Sequence, residues 1–104
     1  MYFLMQNTHH PDMDARRDAL RPEHRAWVAS GGGGLARVLV GSATMDADGN
    51  ALGNFGILEA DSRALAQAFA DGDPFAKGGV VAEIRLTRLA DGFQAQRIDP
   101  MTKG

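Results

Sequence analysis

Four consecutive glycines, Gly31 to Gly34, divide this chain more sharply than any other feature of its sequence. Each glycine costs a helix interior about 1 kcal/mol relative to alanine, so no helix is expected to pass through four of them. The residues before the run must form one element and the β-branched residues after it another. Upstream, Asp14 to Ser30 follows a helical pattern that Pro22 is expected to interrupt, because proline suits a first turn and disrupts an interior one. The expectation is a short turn to about Leu20 and a second helix from near Pro22. In that helix Leu20, His24, Trp27 and Val28 fall at i, i+4, i+7 and i+8, so His24 shares a face with apolar residues. Downstream, Leu35 to Met45 reads as a strand.

The other elements follow from similar signals. Tyr2 to Thr8 is a short aromatic and apolar run closed by His9-His10-Pro11-Asp12, a first strand. Asp46-Ala47-Asp48-Gly49-Asn50 is a turn, and Leu52 to Glu59 returns as the next strand. Asp61 or Ser62 caps a helix to about Ala70, with Leu65 and Phe69 as an i, i+4 pair. Asp73 then stands as N-cap to Pro74 at the first position of a short turn. Val80 to Leu89 alternates as a strand, and Phe93 to Ile98 is expected to pair as a last one after the Asp91-Gly92 turn. The predicted fold is α+β, in the ferredoxin-like order β-α-β-β-α-β with an extra C-terminal strand, as a single domain over 1–104 whose segment 89–104 is an extension. That order puts both helices on one sheet face. A chain of 104 residues buries only about two-thirds of its unfolded surface, so a homodimer covering the other face is expected.

Charge narrows the partners. The formal net charge is -2, from 11 basic and 13 acidic groups. The one basic cluster, Arg16, Arg17, Arg21 and Arg25, is interleaved with Asp12, Asp14, Asp18 and Glu23. This is the pattern of a solvated helix face rather than of a phosphate-binding surface, and no nucleic-acid partner is expected. The absence of cysteine excludes disulfides, thiolate metal sites and cysteine nucleophiles. Met1 to Met5 is too short for a signal-peptide core, and no apolar run approaches the roughly 20 residues of a membrane span. A cytoplasmic protein without membrane contact is therefore expected.

Three segments resemble the YciI-like family: Arg21-Pro22-Glu23-His24, like its "R-x-x-H"; Gly41-Ser42 with Asp46-Ala47-Asp48-Gly49, like its "G-P…D-D-G"; and Asp73-Pro74-Phe75-Ala76-Lys77-Gly78-Gly79-Val80, like its "D-P-[FY]-x-x-x-G". The resemblance covers roughly residues 1 to 89. It implies a dimeric α+β barrel with a pocket in each subunit holding a His–Asp pair, here His24 and Asp73. It also implies proton-transfer chemistry, of lyase or isomerase type, on a small cyclic or aromatic metabolite. Ser42 in place of a common proline, the glycine-rich loop and the C-terminal extension depart from the family pattern.

Read without the family, His24 and Asp73 make a usable acid/base pair, since a carboxylate on one ring nitrogen fixes the tautomer and raises the basicity of the other. The ordinary alternative is a helix-face histidine satisfied in the core and an aspartate that only caps a turn. Arg21, one turn before His24, is a candidate to bind a substrate carboxylate or phenolate, or else a surface cation beside Asp18 or Glu23. Phe75 and Trp27 suit either a pocket wall or the core. Ser42 could donate into the pocket or be an ordinary strand serine. These residues define the expected small-organic-ligand site, with no cofactor and no metal.

Other motifs fail on context. Gly31, Gly33 and Ala36 match G-x-G-x-x-A but follow a helix and precede a strand, the reverse of a dinucleotide loop. Asp46, Asp48 and Gly49 lack the spacing of a calcium loop. His9 and His10, with Asp12, would point to opposite faces of a strand, a poor metal site. The rival to an enzyme is a noncatalytic homodimeric binding or assembly module of the same fold. An oxygenase of the broader superfamily has no supporting haem-ligand motif. A polar, accessible His24–Asp73 contact favours the enzyme, and a sealed histidine favours the module.

Overall fold

The computed structural model describes residues 1–103. Its elements are β1 (Tyr2–His9), α1 (Asp14–Gly34), β2 (Arg37–Met45), β3 (Ala51–Glu59), α2 (Arg63–Gly72), α3 (Pro74–Lys77) and β4 (Val81–Arg88), followed by a 3-10 turn at Ala95–Arg97. The four strands form one sheet in the order β2-β3-β1-β4, and every neighbouring pair is antiparallel. The protein is an α+β chain of ferredoxin-like topology, as its element order predicts.

Alternation along β1 sets the two sheet faces. Phe3, Met5, Asn7 and His9 are buried. Phe3 and Met5 join Val38, Leu58 and Leu86 of the other strands, and Ala66, Phe69 and Ala70 of α2, in the core, with Trp27 and Val28 of α1 packed against it. Truncating a side chain as enclosed as Phe3 or Phe69 to alanine should cost about 3–5 kcal/mol. The intervening residues face the other way: Leu4 pairs with Ile57, which pairs with Val40, and Val40 is 37% exposed. Directly opposed residues share a face, so this helix-free face carries an apolar centre. A bulge at Leu39, where Val38 pairs with Leu58 and Val40 with Ile57, resets the alternation of β2.

Two expectations need correction. Pro22 does not split α1. It and Asp18, whose carbonyl loses its i+4 partner, are both exposed, so water can serve the freed carbonyl and the helix continues. The right-handed course ends instead at the glycines. Gly31, Gly32 and Gly33 have φ of 62°, 66° and 76°, a left-handed succession that side-chain-bearing residues avoid.

The second correction concerns Phe93 to Ile98, which does not form a strand. Phe93 packs on Tyr2, with ring centroids 5.4 Å apart, and the chain coils through the 3-10 turn with Ala95 buried. It then reaches β2, at the opposite edge from β4. There the Met101 and Thr102 N–H groups donate to the Val38 carbonyl at 2.9 and 3.1 Å. The run alternates but includes two glutamines, and its Phe93 packs on Tyr2 instead of extending the sheet edge. No described helix is long and apolar enough to cross a membrane.

Candidate active site

Asp73 sits between α2 and α3, where Pro74 opens the second helix. Its Oδ1 accepts the Phe75 N–H at 2.8 Å, an N-cap that fixes the carboxylate. Gly72, just before it, lies so close to Trp27 that a Cβ there would come within 2.6 Å of the indole. Glycine at this position lets α1 approach the α2–α3 junction and brings His24 to the capping aspartate.

His24 Nδ1 lies 2.8 Å from Asp73 Oδ2 and 2.9 Å from Oδ1. A carboxylate only accepts, so Nδ1 carries the proton and Nε2 of the neutral ring is bare. No described residue hydrogen-bonds to Nε2, while Phe75 stacks on the ring at 4.1 Å with an interplanar angle of 6°. The His24 side chain keeps 19% of its surface exposed and that of Asp73 only 6%. The pair is buried on the aspartate side and open on the histidine side.

A second polar cluster lies across Phe75. His9, at the end of β1, meets Phe75 edge-on at 5.8 Å. Its Nε2 is 2.9 Å from Asn54 Oδ1, and its Nδ1 is 3.3 Å from an Arg17 guanidinium nitrogen. A guanidinium cannot accept. His9 Nδ1 must therefore accept from Arg17, and Nε2–H donates to Asn54. Burial pushes the His9 pKa below its ordinary value; the Asn54 bond opposes that shift and the Arg17 charge reinforces it. Arg17 is itself buried and pairs with Asp14, which is almost fully solvent-exposed.

Both clusters line one cleft of about 590 Å³, within the range of roughly 300–1,000 Å³ common for small-molecule sites. Of the residues singled out in the sequence, His24, Asp73 and Phe75 are brought into contact. Arg21 lines the cleft but is paired with Asp18. Ser42 also lines the cleft. Its hydroxyl donates to the Ala43 carbonyl at 2.9 Å, and its pairing with Phe55 puts it on the helix-free face. Trp27 serves the core, its indole N–H donating to the Phe69 carbonyl at 3.1 Å. Both ring nitrogens of His9 are engaged, and among the described residues no group of three or more His, Asp or Glu side chains is placed to hold a metal. Asp46 is a turn residue: Oδ1 accepts the Asn50 and Asp48 N–H groups at 2.9 Å, and the backbone and side-chain bonds from Asn50 chiefly hold its pKa below the usual value.

Sequence reading missed His9, Arg17 and Asn54 as residues lining the cleft. Two signals were available. His9 is in phase with Phe3 and Met5 on β1, and Arg17 precedes Arg21 by four and His24 by seven, on one helical face.

Residues 1–90 match the YCII-related domain family. Among solved structures the chain is similar to 5-chloro-2-hydroxyhydroquinone dehydrochlorinase from Burkholderia phenoliruptrix AC1100 in complex with 2,5-dihydroxybenzoquinone. That similarity has 27% identity and a TM-score of 0.74, covering 88% of this chain and 96% of the other. A weaker likeness links it to a protein from Chloroflexus aurantiacus J-10-fl described as an antibiotic biosynthesis monooxygenase, at 21% identity and a TM-score of 0.41, covering 90% and 97% of the two chains. No curated protein matches the sequence.

Proposed function

The chain belongs to the YCII-related domain family, and from that premise we propose that it is a lyase-type enzyme acting on a small hydroxylated ring compound by proton transfer. The observation that carries the reading is the His24–Asp73 contact at 2.8 Å at the wall of an open cleft. Asp73 holds the proton on Nδ1 and orients the ring, and His24 Nε2 takes a proton from the substrate and returns it to the product or solvent. Such positioned acid/base groups are worth about 10²–10⁴-fold in rate. The similarity to a dehydrochlorinase solved with 2,5-dihydroxybenzoquinone supports both the ring-shaped ligand and the elimination. Arg21 supplies a cation beside His24, and Phe75 holds the imidazole flat. The working form is a homodimer joined through the helix-free face, whose apolar centre at Leu4, Ile57 and Val40 would otherwise meet water.

The test is chloride release from 5-chloro-2-hydroxyhydroquinone by the wild type and by His24→Ala. Turnover that falls by about 10²-fold or more in the variant is expected. Wild-type binding of 2,5-dihydroxybenzoquinone without turnover of the chlorinated ring would favour the noncatalytic binding module, and neither binding nor turnover would end the ring-ligand reading.

A further inference from the structure

The second polar cluster has a definite polarity toward the cleft. Asn54 Oδ1 is occupied by the His9 Nε2–H, so the Asn54 amide nitrogen, with its two N–H groups, is free of any described partner. Asn54 and Arg17 both line the cleft that contains His24. Were His9 the other tautomer, its bare Nε2 would need a donor. Asn54 would then turn its amide nitrogen to the ring and present its carbonyl oxygen to the ligand. Arg17 forbids that arrangement, because its guanidinium needs His9 Nδ1 as an acceptor. The charge on α1 thus decides, through one imidazole, which end of an amide on β3 is available to a bound molecule.

We propose that Arg17 and Asn54 form a donor site for an anionic ring oxygen in the cleft that also contains His24, and that His9 is the positioning residue that holds Asn54 in its donating orientation. The assignment rests on the ring-ligand reading above and deepens it. The site takes a compound that presents an acidic proton to His24 and a second, negatively charged oxygen to Arg17 and Asn54. Ionised hydroxyquinones have this character. Arg17 suits the role because its carboxylate partner Asp14 is 92% exposed, leaving a buried guanidinium only partly compensated. The charged and titratable groups that act on His9 are Arg17, His24 and Asp73. Protonating His9 puts a second donor against Arg17 and breaks the cluster.

The experiment compares two probes of one shape: 2,5-dihydroxybenzoquinone, anionic at neutral pH, and 2,5-dimethoxybenzoquinone, which has no ionisable hydroxyl. Calorimetric titration of Asn54→Asp, an isosteric exchange of donors for a negative charge, should show the anionic probe weakened at least tenfold and the neutral one unchanged. Asn54→Ser serves if the aspartate variant does not fold, with a smaller loss of the same selectivity. His9→Gln retains one acceptor and one donor but does not titrate. It should bind the anionic probe more weakly than the wild type at pH 7, and should lack the additional weakening expected of the wild type as pH falls through the depressed His9 pKa. Equal losses for both probes in the Asn54 variants, or identical pH profiles for His9→Gln and wild type, would overturn the donor site and leave the ring-ligand reading standing. A wild type that binds neither probe overturns both.

Discussion

Asp73 uses one carboxylate for two partners: Oδ1 accepts the Phe75 N–H at 2.8 Å while Oδ2 lies 2.8 Å from His24 Nδ1. The cap and the histidine contact posed as alternatives by the sequence therefore coexist in one side chain. The cap holds the carboxylate where the histidine needs it, and the Phe75 that follows the cap stacks on the same histidine.

The two roles separate by mutation. Asp73→Ala removes both, and loss of an N-cap should cost about 1 kcal/mol of stability. Asp73→Asn keeps an oxygen to cap α3 but no longer offers a carboxylate to His24. Urea denaturation should show the alanine variant destabilised and the asparagine variant within a few tenths of a kcal/mol of wild type, while both lose turnover. A fully active Asp73→Asn would remove the dyad from the mechanism.

His9 sets a pH dependence of stability. Its pKa in the fold lies below the unfolded 6.5. Between those two values the unfolded chain binds a proton that the folded chain does not, so stability rises with pH across the window. This contribution is complete above about pH 6.5 and is lost as pH falls toward the depressed folded value. Asp46, depressed from 3.8, loses its contribution only in more acidic solution, which keeps the two effects apart. The urea midpoint of the wild type should drop between pH 7 and pH 5, and His9→Gln should flatten that drop. Parallel curves for the two proteins would show that His9 is not its source.

Dimerisation is the third expectation. Light scattering at micromolar concentration should give twice the 11.1 kDa chain mass. Val40→Glu, which places a charge at the exposed centre of the helix-free face, should shift the protein toward monomer with its secondary structure intact. A wild type that remains monomeric at high concentration would contradict the proposed assembly.

Most of the fold was legible because each element had a local signal: the alternation of β1, the Ser62 cap, whose Oγ accepts the Leu65 N–H at 3.2 Å, and Asp73-Pro74. Pro22 misled because its cost is set by whether the freed carbonyl is solvated, a tertiary property absent from the residue order. The site was half legible. His24 and Asp73 carry a motif, whereas His9 and Arg17 offer only a phase on β1 and a face on α1, and Asn54 of β3 joins them only once the sheet order juxtaposes these elements. The tail was misread for a related reason: its partners, Val28 and Val38, are 74 and 64 residues away from Thr102.

That tail yields the last prediction. The glycines end the right-handed part of α1, leaving the carbonyls of its final turn in need of donors. Thr102 Oγ1 donates to the Val28 carbonyl at 2.8 Å and accepts the Val38 N–H at 2.8 Å, so one hydroxyl joins α1 to β2. The Lys103 N–H adds a bond to the Ala29 carbonyl at 3.3 Å. Thr102→Val has nearly the same shape but strands a donor and an acceptor that are partly buried. It should cost about 1–3 kcal/mol and speed amide exchange at Val38. Thr102→Ser keeps the hydroxyl and should lose much less. Because Met101 lines the cleft, loosening the tail should also weaken binding of 2,5-dihydroxybenzoquinone in the valine variant and not in the serine one. Equal stability and exchange in all three proteins would mean that the extension merely rests on the domain.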